Sequence, residues 1–422
     1  MSHLNKRRAV QISALVTSVA FVLAACTSNT DEAPAASGAA SQGTTTATIK
    51  FWDPYTPYQA GSDWDNQLKS CAPEGSTIER FSAPQTDLLN QLTSAVKEGN
   101  APDIIALDNP LMPEAASSGL LATAAQAGID VSGFDANLQA PGVVDGEAYG
   151  VPMGSNALGL YYNEDVLTAA GVDVSTIGDW ASLNAAIEKV VASGSKGITF
   201  SGIAGEEGVF QFEPWFWGAG ASLADISSAD AVSAGQLLSD WVANGWAPKS
   251  AMANNQSASW DLFLTGEYGF AEDGSWRAGS AAANEGFQVG MIPIPAKDSG
   301  VAPVPTGGEF LAAPLQSTDA SDHYANASAV ISCLMSGDNA GVTSESVGYL
   351  SARPDVRAVQ VASNPIWTPW VPIIEGAQGR TTDLGVDYVG VSAQLSEAMQ
   401  GALNADGNAD QVKAAFENAS GL

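Results

Sequence analysis

Residues 86–107 read TDLLNQLTSAVKEGNAPDIIAL, and the order of elements in this stretch decides the fold. Leu88, Leu89, Leu92 and Val96 recur at helical spacing, which predicts an amphipathic helix over Thr86–Glu98. Gly99-Asn100 supplies its stop signal. Pro102-Asp103-Ile104-Ile105-Ala106-Leu107 then reads as a short buried strand. Working outward, Ala47–Trp52 reads as a strand, a helix ends near Cys71, and a second strand falls around Thr77–Phe81. Such alternation predicts an α/β protein with largely parallel strands.

The chain of 422 residues exceeds the roughly 250–300 at which one core stops growing, so two lobes are expected. Its 45% hydrophobic and 8% aromatic residues supply the material for both cores. The formal charge is −30, and Lys6, Arg7 and Arg8 sit together at the N-terminus, so the remainder is more acidic still. That surface repels nucleic acid and anionic headgroups, and no basic cluster opposes the repulsion. Beyond the first few residues the one histidine is His323, which suits a surface or helix-end position. With two distant cysteines it makes no zinc set, and no metal or cofactor is expected. A phosphate-cradling Gly-rich motif with Lys is absent, so nucleotide hydrolysis belongs to another protein.

At the N-terminus, a basic start is followed by an apolar run from Ala9 to Ala25, interrupted by Gln11, Ser13, Thr17 and Ser18. The run is shorter than the roughly 20 residues of a spanning helix, and its layout fits a signal peptide. It ends in Leu23-Ala24-Ala25-Cys26, which resembles the lipobox of bacterial lipoproteins. The resemblance implies cleavage of residues 1–25 and acylation of Cys26. Residues 27–46 are small and polar, as a flexible tether would be. The protein is therefore expected outside the cytoplasm, held to the bacterial cell membrane by lipid alone. Cys71 and Cys333 remain as an even pair that can bond in an oxidising compartment.

The second half has a different texture. Trp215, Trp217, Trp241, Trp246, Trp260 and Trp276 cluster there, with Trp241 and Trp246 at core-like spacing around Leu237-Leu238. Pro293, Pro295, Pro303 and Pro305 frame an extended stretch ending in Gly307-Gly308, which suits a crossover between lobes. The tail from Ser392 reads as two short helices separated by Asp406-Gly407-Asn408.

Three segments in order carry a family resemblance: Ala101-Pro102-Asp103-Ile104-Ile105 with Ala115–Leu121; Tyr149-Gly150-Val151-Pro152 with Leu160–Leu167 and Ala170-Gly171-Val172; and Phe263–Phe270 with Asp273-Gly274-Ser275-Trp276. Together they resemble the carbohydrate-binding extracellular solute-binding proteins of ATP-driven (ABC) importers, the maltose-binding-protein-like group. The resemblance implies a periplasmic-binding-protein-like α/β fold, in which two lobes close on a sugar and do not catalyse. The expected lobes are residues 47–153 with 310–345, and residues 154–309 with 346–422. The implied ligand is a neutral di- to tetrasaccharide, the implied partner a membrane permease, and the implied state a monomer.

The same resemblance nominates site residues. Trp276, after Asp273-Gly274, matches a tryptophan that stacks on sugar. Glu213-Pro214-Trp215 resembles a Glu-Pro-Tyr whose acid bonds hydroxyls and whose aromatic stacks, with Trp217 as a second wall. Asn156 stands where maltose binders carry a glutamate. On the first lobe, Asp53, Tyr55, Asp108 and Asn109 follow strands, where open α/β sheets place ligands. Glu309, after the double glycine, is a hinge contributor. The charged pair that grips maltose is replaced by Pro110 and Leu111, which argues against maltose itself. Glu206-Glu207 reads as a solvated turn and Asp103 as a structural cap. Two alternatives stay open: a secreted glycoside hydrolase pairing Glu213 with Asp108 or Asp53, and a receptor of the same fold for a non-sugar solute.

Overall fold

The computed structural model describes residues 47–421. The proposed signal, lipid and tether segments lie outside the described residues. Among those described, no helix is long and apolar enough to cross a membrane. The strands of the two main sheets are β1 (Ala47–Asp53), β2 (Ser76–Ser82), β3 (Ile104–Asp108), β4 (Gly150–Pro152), β5 (Leu158–Asn163), β6 (Lys196–Thr199), β7 (Tyr268–Gly274), β8 (Val289–Ile292) and β9 (Glu309–Ala312).

Lobe 1 holds the sheet β2-β1-β3-β9-β4 and lobe 2 the sheet β8-β5-β7-β6. Helix α1 (Asp63–Ser70) and helix α2 (Gln85–Glu98) lie in lobe 1. Leu88 and Leu92 are the buried residues of the α2 stripe, as the periodicity predicts. The helix ends at Gly99 in the left-handed conformation (φ 72°), where a side chain would collide with Ser317. Ile104 to Leu107 of β3 are wholly buried, because the strand is covered on both faces.

The expectation of largely parallel strands is corrected. β1 runs parallel to β2 and β3, and β6 to β7, but β9 is antiparallel to β3 and β4, and β5 to β7 and β8. The reason is where these strands enter. β9 starts beside the end of β3 (Glu309 opposite Asp108), and β5 starts beside the end of β7 (Leu158 opposite Gly274). A chain arriving from the other lobe joins at the edge where the parallel strands finish, so it must run against them.

Three segments cross between the lobes side by side. Ser155 exchanges backbone hydrogen bonds with Leu350 (2.7 and 3.0 Å), and Asn156 with Gly307 (3.2 and 3.1 Å). Gly308 (φ 115°) packs so closely that a Cβ there would sit 2.4 Å from the Gly154 carbonyl oxygen. Two expected lobe limits shift accordingly. Glu309 is a residue of the lobe 1 sheet. Val347 and Tyr349 pack into the lobe 1 core while Leu350 packs into that of lobe 2, so the last crossing falls after Tyr349 rather than after residue 345.

Further along lie α3 (Glu206–Gly218) in lobe 2 and α4 (Ala320–Met335) in lobe 1. The tail forms α5 (Tyr388–Leu403) and α6 (Ala409–Ala419), parted at Asp406-Gly407 where both residues take positive φ. Cys71 and Cys333 are joined in a disulfide that ties the end of α1 to α4 within lobe 1. Asp103 accepts from the Lys50 amide (2.8 Å) and meets His323 Nδ1 (2.8 Å) in the first turn of α4, a structural role.

Candidate functional site

Helix α3 supplies one wall of the cleft. Glu206, Phe210, Glu213 and Trp217 are spaced at i, i+4, i+7 and i+11, which puts them on one face. Arg380 lies along that face with its guanidinium 4.9 Å over the Phe210 ring. Its Nη1 meets Glu206 Oε1 at 2.6 Å, and its Nη2 meets Asp108 Oδ1, from the opposite lobe, at 2.7 Å. Its Nε donates to the Thr306 carbonyl at 3.3 Å. Tyr388 Oη lies 2.8 Å from Glu206 Oε1 and 3.1 Å from Glu213 Oε1. Ser392 Oγ also donates to Glu206.

The single phenolic proton lies nearer Glu206 than Glu213. Burial, and then the Glu206 charge, push Glu213 well above the usual carboxylate range. That shift favours the protonated form of Glu213, the form able to hydrogen-bond the Tyr388 oxygen while the phenol donates to Glu206. Glu213 Oε2 is buried without a partner.

Lobe 1 supplies the facing wall. Glu309 sits beside Asp108 in the sheet, and Tyr55 Oη donates to its Oε2 at 2.5 Å. Tyr349 also lies beside this carboxyl. Burial first, and the Asp108 charge second, raise Glu309 to about 7. The hinge side adds two amides. Asn109 Nδ2 donates to the carbonyls of Thr306 (2.9 Å) and Gly308 (3.1 Å), and Asn156 packs against Gly307. Both keep a buried Oδ1 without a partner. Trp276 is half-buried, packs on the cores of both lobes, and stands 6.2 Å from the Phe210 ring. The arrangement offers aromatic faces beside orphaned acceptors, which are costly to leave unpaired.

Of the residues nominated from sequence, the structure gathers Tyr55, Asp108, Asn109, Asn156, Glu213, Trp276 and Glu309 around this cleft. Three are corrected. Asp53 is fully buried and saturated, accepting from Arg80 Nε and Nη2, Trp64 Nε1, Ser82 Oγ and the Tyr55 amide. It holds the β1 loop and has no lone pair to spare. Trp215 lies in the lobe 2 core, 5.0 Å edge-on to Trp241, with Nε1 donating to Glu272 at 2.8 Å. The cause is helical geometry: two positions after Glu213, a residue points about 200° away from it. Asp273 is spent on the turn that carries Trp276, accepting from the Gly274 amide (2.8 Å) and Arg277 Nε (3.1 Å). Trp217 stays on the cleft-facing side of α3, farther along it.

Sequence reading missed Glu206, Phe210, Tyr349, Arg380, Tyr388 and Ser392. The solvated-turn reading is corrected: both residues open α3 rather than a turn, Glu207 is exposed, and Glu206 is held in the cleft. The helical spacing from Glu206 to Trp217 was the available signal for that face. No local pattern marks Arg380. Among the described residues, no cluster of His, Cys, Asp or Glu is arranged to hold a metal ion.

Two α/β lobes, joined by three crossing segments and facing each other across a polar and aromatic cleft, define a receptor that takes a solute between them. The family model for the bacterial extracellular solute-binding proteins matches residues 72–369, and the chain belongs to that family. The three sequence motifs pointed to this group, and its place of work is extracytoplasmic. The chain is 26% identical to putative binding proteins of Brucella abortus and Brucella suis over 137 residues. That match covers 31% of this chain and about a third (33%) of those curated relatives.

Solved structures share the fold over nearly their whole length. The GacH receptor of Streptomyces glaucescens, described unliganded and with acarbose, aligns at a TM-score of 0.77 and 22% identity, over 89% of this chain and 97% of that one. The cyclic α-maltosyl-1,6-maltose binding protein of Arthrobacter globiformis aligns at 0.69 and 24% identity, over 89% and 98%. UgpB of Mycobacterium tuberculosis, in complex with glycerophosphocholine, aligns at 0.71 and 18% identity, over 89% and 97%.

Proposed function

We propose that this protein is the lipid-anchored receptor of an ATP-driven importer, which captures a neutral oligosaccharide of two to four units and hands it to a membrane permease. The observation that carries the reading is the composition of the cleft. A pyranose has an apolar C–H face and a rim of hydroxyls. Trp276 and Phe210 supply aromatic surface for the first. Glu213 Oε2, Asn109 Oδ1 and Asn156 Oδ1 are buried acceptors awaiting donors for the second. Receptors of the same fold are described with acarbose and maltotetraose, which supports the sugar class.

In this reading Tyr55, Asp108, Asn109, Asn156, Glu213, Trp276 and Glu309 contact or position the ligand, and the receptor works as a monomer. Acylation of Cys26 keeps it at the membrane. Binding is favoured over hydrolysis because Asp53 is saturated and Asp108 is held by Arg380, so neither is free to pair with Glu213 as acid or base.

Calorimetry of the purified protein against a panel of gluco-, manno- and malto-oligosaccharides tests the proposal, with the sugars recovered afterwards. Saturable binding with unchanged sugars is expected. Shortened sugars would establish a hydrolase, and binding of a non-sugar solute alone would end the sugar reading. Retention of the protein in the membrane fraction, lost in Cys26→Ser, is the expected signature of the anchor.

A further inference from the structure

We propose that the helix Pro354–Ser363 is a fixed pivot at one edge of the hinge, so that the cleft opens from the opposite edge, where Arg380 meets Asp108. The inference goes beyond the sugar reading, because it concerns a motion that any solute entering the cleft requires.

The order of the crossing segments defines the two edges. Ser155 bonds to Leu350, and the next residue, Asn156, bonds to Gly307. Consecutive residues of an extended strand turn their N–H and C=O groups to opposite sides, so residues 155–156 form the middle segment. Residues 306–308 are then one edge and residues 350–352 the other. Each edge carries an arginine that bonds both the crossing backbone and an aspartate of lobe 1. Arg380 takes the Thr306 carbonyl and Asp108. Arg357, also buried, donates from Nη1 to the Ser351 carbonyl (3.0 Å) and from Nη2 to Asp135 Oδ2 (2.8 Å). The Asp135 amide donates to the Ala352 carbonyl (3.1 Å). Gln139, four residues on, ties this stretch to lobe 1 through the Gly150 carbonyl (2.9 Å).

What surrounds the two arginines differs. Beside Arg357 the lobes share apolar packing. Val356 packs on the lobe 1 core, and Val361 of the same helix on the lobe 2 core. Leu138 of lobe 1 is buried in the lobe 2 core, and Phe134 packs on both, with the Arg353 guanidinium 5.7 Å over its ring. Gln360 is buried as well. Its Oε1 accepts from the Ser351 amide (2.7 Å), and its Nε2 donates to the lobe 1 carbonyls of Gly341 (3.3 Å) and Tyr349 (3.4 Å). Parting the lobes here would expose apolar side chains and strand buried polar groups, both unfavourable. Beside Arg380 the lobes meet through an ion pair whose aspartate already reaches solvent. The lobe 1 helix Met112–Ser117 lies against Gly385–Asp387, where Val386 remains exposed. A carboxylate released there hydrates readily, so rotation proceeds at the Arg380 edge while the helix Pro354–Ser363 stays seated on both lobes.

The test is the distance between paired spin labels on the full chain without ligand, carried on cysteines introduced into Cys26→Ser with the native disulfide intact. Ser132→Cys with Glu375→Cys spans the Arg357 edge, and Ser118→Cys with Asp383→Cys spans the Arg380 edge; all four positions are exposed. The first pair should give one narrow distance. The second should give an added, longer distance, whose population rises severalfold in Asp108→Asn. A longer distance at the first pair, or narrow distances at both pairs with and without Asp108→Asn, overturns the pivot. Because no ligand is present, either result leaves the sugar reading standing, and failure of every glycan to bind leaves the pivot standing.

Discussion

Arg380 of lobe 2 grips Asp108 of lobe 1 at 2.7 Å, and this ion pair bridges the cleft. The guanidinium is 1% exposed, whereas its carboxylate partners Asp108 and Glu206 keep 20% and 29% of their side chains in reach of solvent. The arginine is the desolvated member of the pair. Opening the cleft must hand Asp108 back to water.

Removing the buried cation should therefore be costly. Arg380→Met leaves Asp108 and Glu206 facing each other without their counter-charge. Loss of one partner of a buried pair costs about 3–5 kcal/mol, with the lower end expected here because both acids can hydrate. Urea denaturation monitored by tryptophan fluorescence measures it. A loss below about 1 kcal/mol would show that the bridge carries little of the stability.

Two tryptophans one strand or helix apart in function should separate cleanly. Trp276→Ala is expected to weaken glycan binding at least about tenfold, the equivalent of ~1.4 kcal/mol, with little change in unfolding midpoint. Trp215→Ala empties a core position and should cost about 3–5 kcal/mol of stability. Calorimetry and denaturation on the two variants side by side would expose any exchange of roles.

Stability should fall as pH rises through the range set by two buried carboxyls. Glu309 is raised from 4.5 to about 7 and Asp273 from 3.8 to about 6. The folded state therefore binds more protons than the unfolded state between roughly pH 4 and 7, so their contribution is favourable below that window and is lost across it. Thermal melts from pH 4 to 8 should show this slope, reduced in Glu309→Gln. An identical slope in the variant would assign the effect to other groups.

The Cys71–Cys333 disulfide closes a loop of 262 residues that contains much of lobe 1 and most of lobe 2. Its reduction should cost about 2–4 kcal/mol. Melting with and without reductant measures this, with Cys71→Ser expected to match the reduced protein. Two free thiols in the untreated protein would show that the bond does not form in solution.

How far the site was legible in sequence depended on whether the signal was local. Asp108 closes β3, Asn109 and Trp276 lie just beyond strand ends, and the strands are visible in residue pattern alone. Trp215 departs from the expectation because the motif Glu-Pro-Trp lies inside a helix, which the three residues alone do not reveal. Once α3 is helical, Glu213 and Trp215 must face opposite ways, and the aromatics that share the face of Glu213 are Phe210 and Trp217. Asp53 failed for a different reason: its five hydrogen bonds come partly from residues 27 and 29 positions away.

The sequence by itself determined the alternation of helices and strands, the stop of α2 at Gly99, the break before α6 and the membership of a solute-binding family. Each depends on periodicity, on turn chemistry or on motifs a few residues long. Only the tertiary structure decided that Arg380 would meet Asp108 across 272 positions of chain, and that Tyr388 would sit between Glu206 and Glu213. Those meetings depend on how two lobes, linked by three crossing segments, come to face one another. Burial there sets the charge of each carboxyl, and no local pattern encodes it.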